Sequence, residues 1–146
     1  MESLSSAEKD TITREIKAEI SRLITGCEHL DMGMAFDMFL DAPDFLMMGT
    51  DGTLCDFNTY LKNNIDYLNT CAGFELTTFK EEIRILGPET AIFSWAYGVE
   101  ATLKKGKMDI IENAGASFIF RKMDGKWKVV YYHESSVPPK RISRMQ

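Results

Sequence analysis

From Phe74 to the Ser135 region the chain is interrupted only by three short turn segments, Gly87-Pro88-Glu89, Lys105-Gly106-Lys107 and Asp124-Gly125. Connections this short cannot carry the crossover that parallel strands need. They force four successive strands into an antiparallel meander. Asp-Gly between apolar alternations is also a strong type I′ hairpin signal. The segment Ala91–Lys104 holds 14 residues, which would span roughly 46 Å if straight. A domain of this length has a radius of gyration near ~15 Å. The strands must therefore bend or break, and Gly98 and Gly115 are the expected points.

Ahead of the strands the pattern is helical. Ser5 or Ser6 caps a first helix, with Glu8 and Asp10 near its positive end. Ile12, Ile16, Ile20, Leu23, Ile24 and Cys27 share one face at helical spacing, and Gly26 weakens the last turn. A short second helix is expected at Met34–Leu40, before Pro43. Phe45–Met48 reads as a strand ahead of the turn Asp51-Gly52. Asp56 then caps a third helix to Leu68, with Phe57, Tyr60, Leu61, Asn64, Ile65 and Leu68 facing inward. An amide inside that stripe needs partners, so Asn64 faces a backbone group or a polar cavity. Helices first and strands afterwards make an α+β chain. The N-terminal helices pack in a strongly curved antiparallel sheet, a half-open cone spanning residues 1–146 as one domain.

Composition excludes several classes. The net charge of −5 opposes binding to nucleic acid, which needs clustered cations. The basic groups at Lys104–Lys107 and Lys140-Arg141…Arg144 read as a solvated turn and a solubilising tail. Cys27, Cys55 and Cys71 are odd in number and show no CxxC spacing. They predict reduced thiols in the cytoplasm rather than a disulfide framework or a zinc site. No apolar run approaches the ~20 residues of a membrane span, so no membrane partner is expected. Met1 to Ser6 lacks a signal-peptide pattern. No metal site and no cofactor is expected either, because no EF-hand spacing, phosphate-cradling glycine loop, GxSxG or HExxH occurs.

Both faces of the later strands carry apolar side chains. Trp127, Val129, Tyr131 and His133 alternate with Lys128, Val130, Tyr132 and Glu134. Phe93, Trp95, Tyr97 and Val99 alternate with Ile92, Ser94, Ala96 and Gly98. One face packs on the helices and the other wants a cover, which a homodimer through the convex face provides, with a C-terminal tail or loop as the alternative cover.

The segment Phe118–Ser135, with Asp-Gly-Lys-Trp at Asp124–Trp127 and a strand ending His-x-Ser at His133–Ser135, resembles the nuclear transport factor 2-like superfamily in its SnoaL-like branch. Asp56-Phe57 and Leu86–Ala91 add to the likeness. Within that branch the chain is most similar to the association domain of calcium/calmodulin-dependent kinase II. The resemblance implies a cystatin-like cone, frequent dimers, and a pocket between the helices and the concave sheet. It also implies arginines in the pocket. The corresponding positions here are Tyr97, Phe118 and Glu134, which instead give an aromatic pocket with one carboxylate near its rim.

Tyr60, Asn64, Trp95, Tyr97, Phe118, Tyr132 and Glu134 are therefore the candidate ligand-binding residues, for a small apolar or aromatic molecule. Glu134 and His133 are the catalytic candidates. A carboxylate on an apolar concave face has a raised pKa and can serve as acid or base. His133 shares strand parity with Trp127, which the resemblance turns away from the pocket, so it reads as an interface histidine or a general base. His29, near the end of the first helix, reads as structural, and Glu100 as solvated. These residues are compatible with three functions. The first is a small-molecule-binding homodimer. The second is an isomerase, cyclase or dehydratase acting on a carbonyl or polycyclic substrate. The third is an association module working through the convex face.

Overall fold

The computed structural model describes residues 3–143. Met1, Glu2 and Arg144, which entered the readings of the two ends, lie outside the described residues. Helix α1 runs Ser6–Glu28, α2 Met32–Phe36 and α3 Phe57–Leu68. The strands are β1 Leu46–Met48, β2 Leu54–Cys55, β3 Cys71–Gly87, β4 Thr90–Leu103, β5 Lys107–Met123, β6 Lys126–Ser136 and β7 Lys140–Ser143. Among the described residues no helix is long and apolar enough to cross a membrane.

Local chemistry fixes the helix starts. Ser5 accepts from the Glu8 amide while Glu8 accepts from the Ser5 amide, a reciprocal capping box. Asp31 caps α2 and Asp56 caps α3, each accepting from an amide three residues on. The buried face of α1 is Ile12, Ile16, Ile20, Leu23, Gly26 and Cys27. Helix α2 starts earlier than expected and ends four residues sooner, well short of Pro43. Met38 and Leu40 are drawn into backbone bonds with Val129 instead of continuing the helix.

The sheet order is β2-β1-β6-β5-β4-β3, with β7 also on β5. β3 to β6 form the expected antiparallel meander. Asp124 and Gly125 have φ of 52° and 78°, the paired left-handed residues of a type I′ turn. The sheet is mixed, however, because β1 runs parallel to β6. That pairing joins segments as distant as residues 46 and 133, and a period-2 pattern does not encode the direction of a distant partner. β7 is a second departure. The basic segment read as a solubilising tail pairs with Lys107–Ile110 of β5.

Register shifts supply the curvature. Phe79 is the extra residue on β3 between the pairs Thr78↔Tyr97 and Lys80↔Ala96. Glu112 and Asn113 face Gly98 between Tyr97↔Ala114 and Val99↔Ile111. Val130 is extra on β6 between Ile119↔Tyr131 and Phe120↔Val129. Gly98 is a bend point as the sequence indicated, whereas Gly115 sits in regular register between Ala96 and Ser135. At Gly98 a Cβ would lie 3.0 Å from the Phe79 ring, so the glycine accommodates that ring on the convex side.

The Val130 bulge corrects a parity argument. Strand side chains alternate, so one inserted residue moves all later ones to the opposite face. Trp127 and Val129 are buried, and so are Tyr132 and, in part, Glu134. Trp127 therefore points inward, donating its indole N–H to Glu15 of α1 at 3.1 Å. It does not face away from the interior as the resemblance suggested. His133 remains on the outer face, but it reaches it through the bulge and not through shared parity with Trp127.

The outer face is also less apolar than the alternation suggested. Ser94, Ala96, Ser117 and His133 are exposed on it. Its apolar part is the exposed Phe79 ring over Gly98 and one row in register across four strands, Ile92, Ile119, Tyr131 and Leu46.

Gly26 has a different role from a weakened turn. A Cβ there would lie 2.4 Å from the Ala35 amide nitrogen and 2.8 Å from the Met34 carbonyl carbon. The glycine lets α2 pack directly on α1. Gly26→Ala is expected to gain at most about 1 kcal/mol of helix propensity and to lose about 1–3 kcal/mol to overpacking. A lower urea midpoint with unchanged slope is the expected outcome, and a raised midpoint, helix propensity gained with no clash, would show that the helices are not in this contact.

Candidate functional site

The curved meander and the helices enclose a cavity of about 220 Å³. β4 contributes Trp95, Tyr97 and Val99, β5 contributes Asp109, Ile111 and Phe118, and β6 contributes Tyr132 and Glu134. α3 contributes Tyr60, Asn64, Tyr67 and Leu68, while α1 adds Leu23 and Cys27. All seven side chains singled out as ligand-binding candidates line this one cavity. His133 does not, and Glu100 is exposed. His29 caps the end of α1.

The aromatic wall is built of two stacked pairs. Trp95 and Tyr97 have ring centroids 4.0 Å apart and nearly parallel planes. Phe118 and Tyr132 are stacked at 4.8 Å, and Tyr60 meets Tyr132 edge-on at 5.5 Å. Trp95 and Tyr97 are alternate residues of one strand, so both project from the concave face. Phe118 pairs with Tyr132 across strands, the contact that stabilises neighbouring sheet positions. The Trp95 indole N–H donates to the Thr78 hydroxyl at 2.9 Å.

Glu134 is the acid of this wall. The Tyr132 hydroxyl donates to its Oε2 at 2.8 Å. Burial pushes the Glu134 carboxyl above the usual glutamate range, and the Tyr132 hydrogen bond and nearby His133 offset this only in part. Burial likewise drives the Tyr60, Tyr97 and Tyr132 hydroxyls upward, with the Glu134 charge adding to each. These phenols stay protonated through the neutral range and act as hydrogen-bond donors. The Cys27 thiol is pushed up to about 12 by burial, with Glu28 contributing, which makes it inert as a nucleophile.

Asn64 donates to the Tyr60 carbonyl at 2.9 Å. Its amide is thus partly satisfied by its own helix, while the side chain still borders the cavity. Tyr60, Asn64 and Glu134 also border an adjoining groove of about 250 Å³ beside Gly49–Thr53 and Cys55. These three residues form the partition between the two spaces.

A second carboxylate was not anticipated. Asp109 is 7% exposed. It accepts from the Tyr67 hydroxyl at 2.7 Å, from Arg141 Nε at 2.6 Å and from Arg141 Nη2 at 2.9 Å. Arg141, then Tyr67, hold its carboxyl below the usual aspartate range against the opposing effect of burial. The available signal was strand parity, since Asp109 is two residues before Ile111 on the same face. Its partner Arg141 carries no local signal, because a basic segment at that position reads as a solubilising tail. Among the described residues no group of His, Cys, Asp or Glu could hold a metal ion.

The sequence matches the family described as the calcium/calmodulin dependent protein kinase II association domain over residues 45–138, well over half of the chain. No curated protein is matched. Among solved structures, the chain is similar to hexachlorocyclohexane dehydrochlorinase LinA-type3 from Novosphingobium barchaimii LL02. The TM-score is 0.78 and identity 11%, covering 97% of each chain. A nuclear transport factor 2-like superfamily protein from Salmonella enterica serovar Typhimurium gives a TM-score of 0.77 at 16% identity, covering 89% of this chain and 94% of that one. An uncharacterized protein with a cystatin-like fold from Caulobacter vibrioides gives 0.69 at 15%, covering 86% and 89%. At these identities the likenesses carry the fold, which is α+β and nuclear transport factor 2-like.

The Arg141–Asp109 contact has a stability consequence with a definite sign. Asp109 has a lowered folded pKa, so its contribution is present above the unfolded value and is lost as pH falls through the folded one. Arg141→Gln is expected to lower the urea midpoint at pH 7. The gap to the parent should close as pH drops below the ordinary aspartate range. A pH-independent gap would assign the loss to β7 pairing and not to the carboxylate.

Proposed function

The chain belongs to the calcium/calmodulin-dependent protein kinase II association domain family, and we propose that it is a homodimeric small-molecule-binding domain whose ligand sits in the aromatic cavity. One observation carries this reading: three protonated phenols, an amide and a carboxylate line a space that the surrounding core leaves unfilled. A dry core has no need of that many polar atoms, each of which costs desolvation unless it is bonded. The ligand is a small molecule with an apolar or aromatic body and at least one polar group. The three free thiols, two of them buried, fit a reducing compartment, and the cytoplasm is the proposed location.

A second reading is favoured by the raised proton affinity of Glu134. A carboxylate that holds its proton more tightly is a better base, and Tyr97 or Tyr60 could donate to a developing oxyanion. The same pocket would then perform proton transfer next to a carbonyl, as an isomerase, cyclase or dehydratase does. The likeness to a dehydrochlorinase is compatible with this but rests on fold alone.

Self-association is proposed through the outer sheet face, along the row Ile92, Ile119, Tyr131 and Leu46. Exposed Ser94, Ala96 and Ser117 beside that row would let a second sheet approach closely. The family's description as an association domain supports this assignment. In light scattering the parent is expected to run as a dimer and Ile119→Asp as a folded monomer. A parent that stays monomeric at tens of micromolar would remove the dimer from the reading.

The pocket itself is tested by thermal shift with small aromatic alcohols and cyclic ketones. A probe at about one hundred times its Kd adds about 2.7 kcal/mol, which is a rise of several degrees in a domain this size. Val99→Phe fills the cavity and should abolish that rise while leaving the unliganded Tm near the parent's. If no probe moves the parent's Tm, the small-molecule reading fails and the outer face is left as the working surface.

A further inference from the structure

The two carboxylates that border the cavity are in opposite situations. Asp109 receives three hydrogen bonds, two of them from a guanidinium, and its charge is balanced inside the protein. Glu134 receives one, from a neutral phenol. Its Oε1 accepts no hydrogen bond among the described residues, and none of the ion pairs includes it. No Lys, Arg or His side chain lines the cavity. His133, adjacent in sequence, projects from the opposite face of the sheet, where with Lys80 it borders an outer groove that Glu134 also touches; its charge offsets only part of the effect of burial on Glu134.

The walls around Glu134 reinforce its sign. Aromatic faces carry the negative lobe of the ring quadrupole. The rings of Trp95, Tyr97, Phe118 and Tyr132 line the same cavity as Glu134, whose lining holds no cation. An anionic ligand would be repelled by the Glu134 charge. A cation would be attracted by the carboxylate directly and by the rings. The remaining wall, Leu23, Phe74, Leu76, Val99 and Ile111, is apolar and suits a hydrocarbon body.

Size limits the choice. The cavity of about 220 Å³ is smaller than the ~300–1,000 Å³ typical of drug-sized sites. It equals about seven waters at ~30 Å³ each.

We propose that the cavity takes a small organic ammonium, its charged nitrogen against Glu134 Oε1 and the aromatic faces, its apolar body toward Leu76 and Val99. This inference rests on the small-molecule reading above and specifies its ligand class. Binding would complete the charge balance that the protein itself leaves open at Glu134. It would also oppose the upward push that burial gives the carboxyl's proton affinity.

Three probes of matched shape test it: 2-phenylethylammonium, neutral 2-phenylethanol and 3-phenylpropanoate, titrated by calorimetry at pH 7.5 into the whole protein. The ammonium is expected to bind about ten-fold or more tighter than the alcohol, the scale of a charge-assisted hydrogen bond. The carboxylate is expected to show no binding. Glu134→Gln should abolish the preference for the ammonium, so that ammonium and alcohol bind that variant equally. If Glu134→Gln does not fold, the parent's pH profile replaces it. Ammonium affinity should fall as pH drops through the Glu134 titration, and alcohol affinity should not. Equal affinity for ammonium and alcohol overturns the cation inference and leaves the pocket reading standing. Binding of none of the three overturns both.

Discussion

Of the places where one strand carries an extra residue, the three within the long central pairings decide what this sheet can enclose. A regular β-ladder keeps every second side chain on one face, and four strands of 11 to 17 residues would make a plate longer than the domain. The extra residues at Phe79, at Glu112-Asn113 opposite Gly98, and at Val130 bend that plate around α1. Each one also resets which face the later residues occupy. On β6 the reset puts both Trp127 and Glu134 inside. Without the Val130 insertion one of them would lie in solvent. Either the contact of Trp127 with α1 or the acid of the cavity would then be lost. Core packing and cavity chemistry depend on the same backbone irregularity.

Much of the fold was legible because its determinants are local. The Asp124-Gly125 hairpin, the Ser5 and Asp56 caps and the inward stripe of α1 need only a few neighbouring residues, and all appear in the structure. The candidate cavity residues were also legible, since Trp95, Tyr97, Phe118, Tyr132 and Glu134 stand out as large or acidic groups within strand alternation. The rest was not, for physical reasons. Parallel pairing of β1 with β6 joins segments more than eighty residues apart, and no short pattern records it. β7 is four residues of mostly polar sequence, held by one edge of β5 and by an ion pair whose partner lies 32 residues away. Asp109 could be found only once Arg141 was known to reach it. The parity of Trp127 required knowledge of the bulge, and Val130 carries no glycine or other local sign of one.

Gly26 shows how the same residue can be read two ways. In a helix its intrinsic effect is a cost of about 1 kcal/mol against alanine. Here that cost is accepted because α2 lies too close for a methyl group. The close packing brings Phe36 to the wall of the cavity, where its ring meets Tyr60 edge-on at 6.0 Å. A backbone concession at one end of α1 thus helps set the shape of the site.

The contrast between the two cavity acids separates structural from functional use of charge. A buried carboxylate is costly, and breaking its ion pair is more costly still. Asp109 meets that constraint in the usual way, tying β5 to β7 and α3 through Arg141 and Tyr67. Its burial is explained by what it holds together. Glu134 joins no two distant elements, since its one donor, Tyr132, is two residues away on the same strand. An apolar side chain of similar volume would pack against the same aromatic wall without the desolvation cost. Packing accounts for the Tyr60, Phe118 and Tyr132 rings, but it supplies no reason for the carboxylate among them. What distinguishes Glu134 is an oxygen that accepts no hydrogen bond among the described residues, on a side chain that lines an unfilled space, and that is a property of use to a ligand or substrate rather than to the fold.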